Sequence, residues 1–178
     1  MVPPVRLYRE GILDRDIERI IEANTRQPRL VLGDLRTQVG ATQQGCERMR
    51  GMCDQFGRDV VVEAMHRMLR ASAIEFGDVI AKLPNGRHRA EGYLDSDGVN
   101  VDQPVRLCVQ VTVEDGSIEF DFTGSASQRN GPINLRRPQI EACCFYSIIA
   151  LLDPTLKYGH GAQDVVRFKL PENSVVNA

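Results

Sequence analysis

Nothing in the sequence approaches the run of about 18 apolar residues that a membrane-spanning helix needs. The longest apolar block, around Ile140 to Leu152, is interrupted by Glu141 and Ser147. Basic residues do not outnumber acidic ones: 22 Lys and Arg meet 24 Asp and Glu, for a formal charge of −2. Without a positive excess there is no electrostatic footprint for general nucleic-acid binding. Arg136-Arg137 and Arg87-His88-Arg89 are local basic spots, read as solvated faces or partners in ion pairs. The five cysteines are an odd number for a disulfide framework, and none forms a CxxC pair. Met1-Val2-Pro3-Pro4 runs straight into charged residues, without the pattern of a secretory leader. A reducing, cytoplasmic setting is the expectation. Also missing are a Walker phosphate loop, a Gly-rich dinucleotide turn, HExxH and GxSxG. ATP binding through a phosphate loop of this chain is therefore not expected.

What remains is an ordinary globular composition, 42% hydrophobic and 26% charged, in a chain of 178 residues, enough for one substantial core. Ile17, Ile20 and Ile21 space out a short amphipathic helix after Asp14, ended before Pro28. Leu32, Leu35, Val39, Thr42, Cys46, Met49, Cys53 and Phe56 then repeat at alternating steps of three and four, a heptad seam. A second apolar stripe follows from Val61 to Leu83, with Gly57 between as a helix cap. Two long helices joined so briefly predict an antiparallel hairpin. Gly40, Gly45 and Gly51 weaken the first of them, so close approach of another backbone is expected there.

After Pro84-Asn85-Gly86 the period falls to two. Residues 87–95 read as a strand and Val105 to Val113 as another. Asp115-Gly116 is a two-residue hairpin turn. It sets Val113 opposite Ile118, Val111 opposite Phe120 and Val109 opposite Phe122, all on one face. A helix over 138–152 is apolar all round and predicted to be buried; Val166, Phe168 and Leu170 suggest a last strand. The expected fold is α+β, in a single partial domain. A long antiparallel helical hairpin (12–83) is followed by a small antiparallel sheet (86–178) with the 138–152 helix packed on it.

Most polar residues read as structural. Asp95, Asp97 and Asp102 lack the further ligands of a calcium loop and predict a plain turn. His66, His88 and His160 are scattered over three elements, and Cys143-Cys144 read as small core residues. Asp34 and Gln38, one helical turn apart, form a polar pair that could reach a ligand; a solvated face is the simpler reading. The dense stretch is "FDFTGSASQRNGPINL". There Thr123, Ser125, Ser127, Gln128, Asn130 and Asn134 crowd together with Gly124 and Gly131 just before a helix. Glycines let backbone N–H groups turn toward a bound group, and amide side chains offer donors and acceptors. A self-satisfied turn would use the same hydrogen bonds internally. The residue types support both readings equally.

"VPPVRLYREG", "VLGDLRTQVGA", "FDFTGSASQRNGPIN" and "LPENSVVNA" resemble, in order, consecutive blocks of the hydantoinase B/5-oxoprolinase family. The resemblance runs along nearly the whole chain, and the FTGS–GPIN block is its most specific part. It implies a part of an ATP-dependent cyclic-amide hydrolase that opens hydantoin or 5-oxoproline rings. Related subunits carboxylate ketones. ATP would be held by a companion hydantoinase A-type subunit or domain, with a small cyclic amide as substrate. The family's divalent metal belongs to an upstream segment that has no counterpart before Met1. No metal ligand and no cofactor is therefore assigned within this chain, which is expected to be an internal segment of a longer protein, inactive alone. The carried-over residues are Asp34 and Gln38, and in the loop Thr123, Gly124, Ser125, Gln128, Gly131 and Asn134. The loop is expected to hold a polarised carbonyl or its oxyanion. The competing expectation is a non-catalytic segment whose helices dock the companion subunit.

Overall fold

The computed structural model describes residues 4–178, and these fall into two compact units that part between Val62 and Glu63. In the first, β1 (Tyr8–Arg9) and β2 (Ile12–Leu13) form a small hairpin that leads into α1 (Arg15–Ala23). Asp14 caps α1 by accepting from the N–H groups of Asp16 and Ile17, at 3.2 and 3.3 Å. α2 (Pro28–Phe56) starts on a proline, whose missing N–H would have no helical partner anyway. Glu18 of α1 accepts from Arg36 of α2 at 2.8 Å and from Arg15 at 2.7 Å. Those two guanidinium groups, Arg36 foremost, hold its carboxyl below the usual range.

The heptad seam of α2 is a helix, as its spacing predicts, but its apolar positions are not buried. No described α2 residue is buried, and Thr42, Cys46, Met49 and Phe56 are exposed. Among the described residues nothing lies within 4 Å of a side chain added at Gly40, Gly45 or Gly51, so none of them makes the expected close backbone approach. Periodicity establishes an amphipathic helix; it does not say what covers its apolar face. Gly57, at φ 85°, ends α2 before α3 (Arg58–Ile80) begins.

The second unit holds the core. Phe76 and Ile80 of α3 are fully buried, and each contributes roughly 1.5–3 kcal/mol by leaving water. They pack in one cluster with residues from β4 (Val105–Glu114), β5 (Ser117–Asp121), α4 (Arg137–Leu152) and β6 (Val166–Lys169). β3 (Gly86–Leu94) completes a four-stranded sheet of order β3-β4-β5-β6. The Asp115-Gly116 turn has φ of 45° and 78°, and the register sets Val113 against Ile118 and Val111 against Phe120, as predicted.

The sheet is mixed rather than antiparallel, because β6 runs parallel to β5. Between them the chain passes through α4, and a helical crossover returns a strand in the same direction. α4 packs on the sheet by one face only. Ile140, Cys144, Phe145 and Ile148 are buried, whereas Tyr146 and Leu151 are 73% and 81% exposed. Phe145 is the aromatic centre of this face, with ring centroids 6.0 Å from Phe76, 5.7 Å from Phe168 and 5.0 Å from Tyr158.

Candidate functional site

The loop between β5 and α4 is tied down residue by residue. At its start Asp121 accepts from the Thr123 N–H at 2.8 Å and from the Lys169 ammonium at 2.9 Å. The Ser125 N–H donates to the Phe122 carbonyl at 3.1 Å, closing a turn with Gly124 at φ 99°, a conformation that favours glycine. The Ser125 hydroxyl then acts in both directions on one residue of β4. It accepts from the Cys108 N–H and donates to the Cys108 carbonyl, both at 3.0 Å. Cys108 thus gains ladder-like partners just beyond the end of β5.

The C-terminal residues supply the next clamp. Val175 donates to the Ala126 carbonyl at 3.0 Å, Gln128 to Asn173 at 2.8 Å and Leu135 to Val175 at 2.8 Å. Ser174, Val175 and Val176 are buried beneath the loop. Asn134 closes the far end. Its amide oxygen accepts from the Arg129 N–H at 2.9 Å, and its amide nitrogen donates to the carbonyls of Arg129 and Gly131 at 2.7 and 3.1 Å. Gly131 is buried against the backbone of Asp97.

Asp97 itself is buried, and as predicted it makes a plain turn. Its carboxylate accepts from the N–H groups of Asn100 and Val99 at 2.6 and 2.9 Å, and from the Asn100 amide at 3.0 Å. These bonds, led by the Asn100 N–H, hold its pKa below the ordinary carboxylate value. A depressed folded-state pKa stabilises above the unfolded value and is lost as pH falls through the folded one. Thermal stability is therefore expected to drop below about pH 4, and Asp97→Asn to flatten that drop. A melting series from neutral to acid pH checks it.

The six loop candidates sort into two sets. Ser125, Gly131 and Asn134 are consumed in holding the loop; Thr123, Gly124 and Gln128 are exposed at its surface. Replacing Ser125 by alanine leaves the partly buried N–H and C=O of Cys108 without partners, at an expected cost of about 1–3 kcal/mol in urea unfolding. Asp34 and Gln38 lie exposed on α2 in the 1–62 unit. The anchoring roles of Asp97, Cys108 and the 173–178 segment escaped the sequence reading. The plain-turn reading at Asp95, Asp97 and Asp102 and the LPENSVVNA resemblance block pointed toward two of them without assigning an anchoring role.

No group of three or more His, Cys, Asp or Glu that could hold a metal converges among the described residues. Nor is any helix among them long and apolar enough to cross a membrane. The profile of the family "Hydantoinase B/oxoprolinase" matches residues 1–178. The chain belongs to that family. A protein of Methanocaldococcus jannaschii without an assigned function is 28% identical over 99% of this chain and 31% of its own length. A Pseudomonas protein described as the B-type component of a D-/L-hydantoinase is 29% identical over 90% of this chain and 28% of its own length. The chain thus spans under a third of these relatives. The crystal structure of an ATP-dependent caprolactamase from Pseudomonas jessenii shares the fold seen here. It superposes with a TM-score of 0.87 over 99% of this chain and 30% of that one, at 20% identity. An acetone carboxylase structure gives 0.85 over 98% and 24%, at 17% identity.

Proposed function

We propose that this chain forms the loop-bearing part of a subunit that opens a cyclic amide, hydantoin or 5-oxoproline, in an ATP-dependent reaction. The nucleotide is handled by a companion hydantoinase A-type subunit. The observation that carries this reading is the division of labour in the 122–135 loop. Its inner side chains are locked to β4 and to the C-terminal segment, while Thr123, Gly124 and Gln128 remain at the surface. A rigid loop presenting hydroxyl, amide and glycine backbone groups can polarise an amide carbonyl and stabilise the oxyanion formed on attack, at no reorganisation cost during reaction. Ser125 enters this mechanism as a positioning residue rather than as a donor to substrate, since its hydroxyl is already engaged.

The test is Gln128→Ala and Thr123→Ala in the full-length subunit containing this segment, assayed with the companion subunit and ATP. Turnover is expected to fall by about 10²-fold with the melting temperature unchanged. Unchanged turnover rejects the reading. The same loop would serve a ketone carboxylase, and turnover of acetone with bicarbonate in place of a cyclic amide would shift the substrate class.

A second reading rests on the seam of α2, where Thr42, Cys46, Met49 and Phe56 are exposed. In it the segment docks the companion subunit and the loop is purely structural. Tight 1:1 association on gel filtration, with turnover indifferent to Gln128 and Thr123, supports that alternative.

A further inference from the structure

β3 is an edge strand of nine residues, and nearly every one of them is exposed. Which of its backbone groups are free follows from the far side of β4. Cys108 spends both its N–H and its C=O on Ser125, and the Arg106 carbonyl accepts from Ala126 at 2.9 Å. The even-numbered residues of β4 therefore turn their backbone groups away from β3. In an antiparallel ladder, opposed residues exchange both hydrogen bonds or neither. Glu91 lies opposite Cys108 and Tyr93 opposite Arg106, so these are non-bonded pairs. By the same alternation Arg87, Arg89, Glu91 and Tyr93 all aim their N–H and C=O groups outward. Among the described residues, no strand other than β4 pairs with β3.

We propose that this edge pairs with the β3 edge of a second copy of the chain, antiparallel about a two-fold axis at Ala90, joining two four-stranded sheets into one. The outward-facing residues then meet as hydrogen-bonded pairs: Arg89 with Glu91 of the other copy, and Arg87 with Tyr93, each occurring twice by symmetry. The charges choose the register. Centring the axis on Arg89 sets two guanidinium groups face to face, and centring it on Glu91 sets two carboxylates face to face. Only the Ala90 register pairs opposite charges without a like-charged contact. Charged side chains on an edge strand ordinarily deter pairing; in this order they deter the neighbouring registers and favour one. Glu91, already bonded to Arg106 of its own chain at 2.6 Å, would bridge two arginines, and Arg87 would lie over a tyrosine ring.

Sedimentation equilibrium of the 178-residue chain tests this. The expected result is a concentration-dependent monomer–dimer equilibrium. Arg89→Glu and Glu91→Arg, which each create two like-charged contacts, should weaken the dimer roughly tenfold or more. The double variant R89E/E91R should restore it, because the pairs re-form with their signs exchanged. Circular dichroism confirms that the variants remain folded. Independently, Ala90→Cys sits on the axis in a non-bonded pair, close enough for a disulfide, and mild oxidation should give a 90–90 cross-link by peptide mapping. A chain that stays monomeric, including one whose edge is reserved for a strand from elsewhere, overturns the proposal. So does a dimer indifferent to the single charge reversals, or one that forms no such cross-link.

Discussion

Gly131→Ala is expected to destabilise the protein by more than about 3 kcal/mol, or to prevent the second unit from folding. The reason is steric and local. A Cβ at position 131 would lie 1.6 Å from the Asp97 carbonyl oxygen and 2.6 Å from its carbon. Neither atom can swing aside as a flexible side chain would. Asp97 is fixed by its own carboxylate to Val99 and Asn100, and position 131 is fixed by Asn134. Relief requires parting the 97–100 turn from the loop, which exposes Asp97 and breaks the Asn134 bonds together. Gly40→Ala is the control: among the described residues nothing lies within 4 Å, and the helix should gain about 1 kcal/mol. Urea unfolding of the two variants, followed by circular dichroism, measures both. A Gly131→Ala protein with wild-type stability would show that the loop and the 97–100 turn are not in contact.

Gly161→Ala should be nearly as damaging, at about 3 kcal/mol or more, for a related reason at another place. The short 3-10 turn at His160–Asp164 packs directly on α3, and a Cβ at Gly161 would come within 1.8 Å of the Leu69 carbonyl oxygen. Gly159 is scarcely freer, its Cβ position being 2.3 Å from the Ser72 hydroxyl. Pushing this turn off α3 draws Tyr158 away from Phe76 and Phe145, whose rings it meets edge-on at 6.5 and 5.0 Å. The expected signature is a loss of near-ultraviolet ellipticity from these aromatics along with a lower unfolding midpoint. An unchanged midpoint contradicts the packing of the turn on α3. His160, between the two glycines, is exposed, so these glycines serve the contact with α3 before they serve any access to its ring.

Much of this was legible without coordinates because it is local. Heptad spacing marked α2 from Leu32 to its end at Phe56, one turn short of its start at Pro28; alternation and a two-residue Asp-Gly turn set the β4–β5 register; Asp14 and Gly57 marked helix ends. The density of Gly, Asn and Ser picked out the 123–134 loop. Each signal depends on neighbours within a turn or a strand, where side-chain period and backbone freedom dictate the outcome.

Three features were decided only by tertiary structure. The parallel course of β6 depends on where α4 carries the chain, and alternation in Val166–Lys169 is the same for either direction. Whether the α2 seam is covered depends on a partner surface, which a period cannot supply. The division of the loop between Ser125, Gly131 and Asn134, which hold it, and Thr123, Gly124 and Gln128, which it presents, rests on contacts with Cys108, Asp97 and residues 173–175. Those partners are distant in sequence. A serine or asparagine carries the same donors and acceptors whether it faces a substrate or a strand, and only its position in space says which it has met.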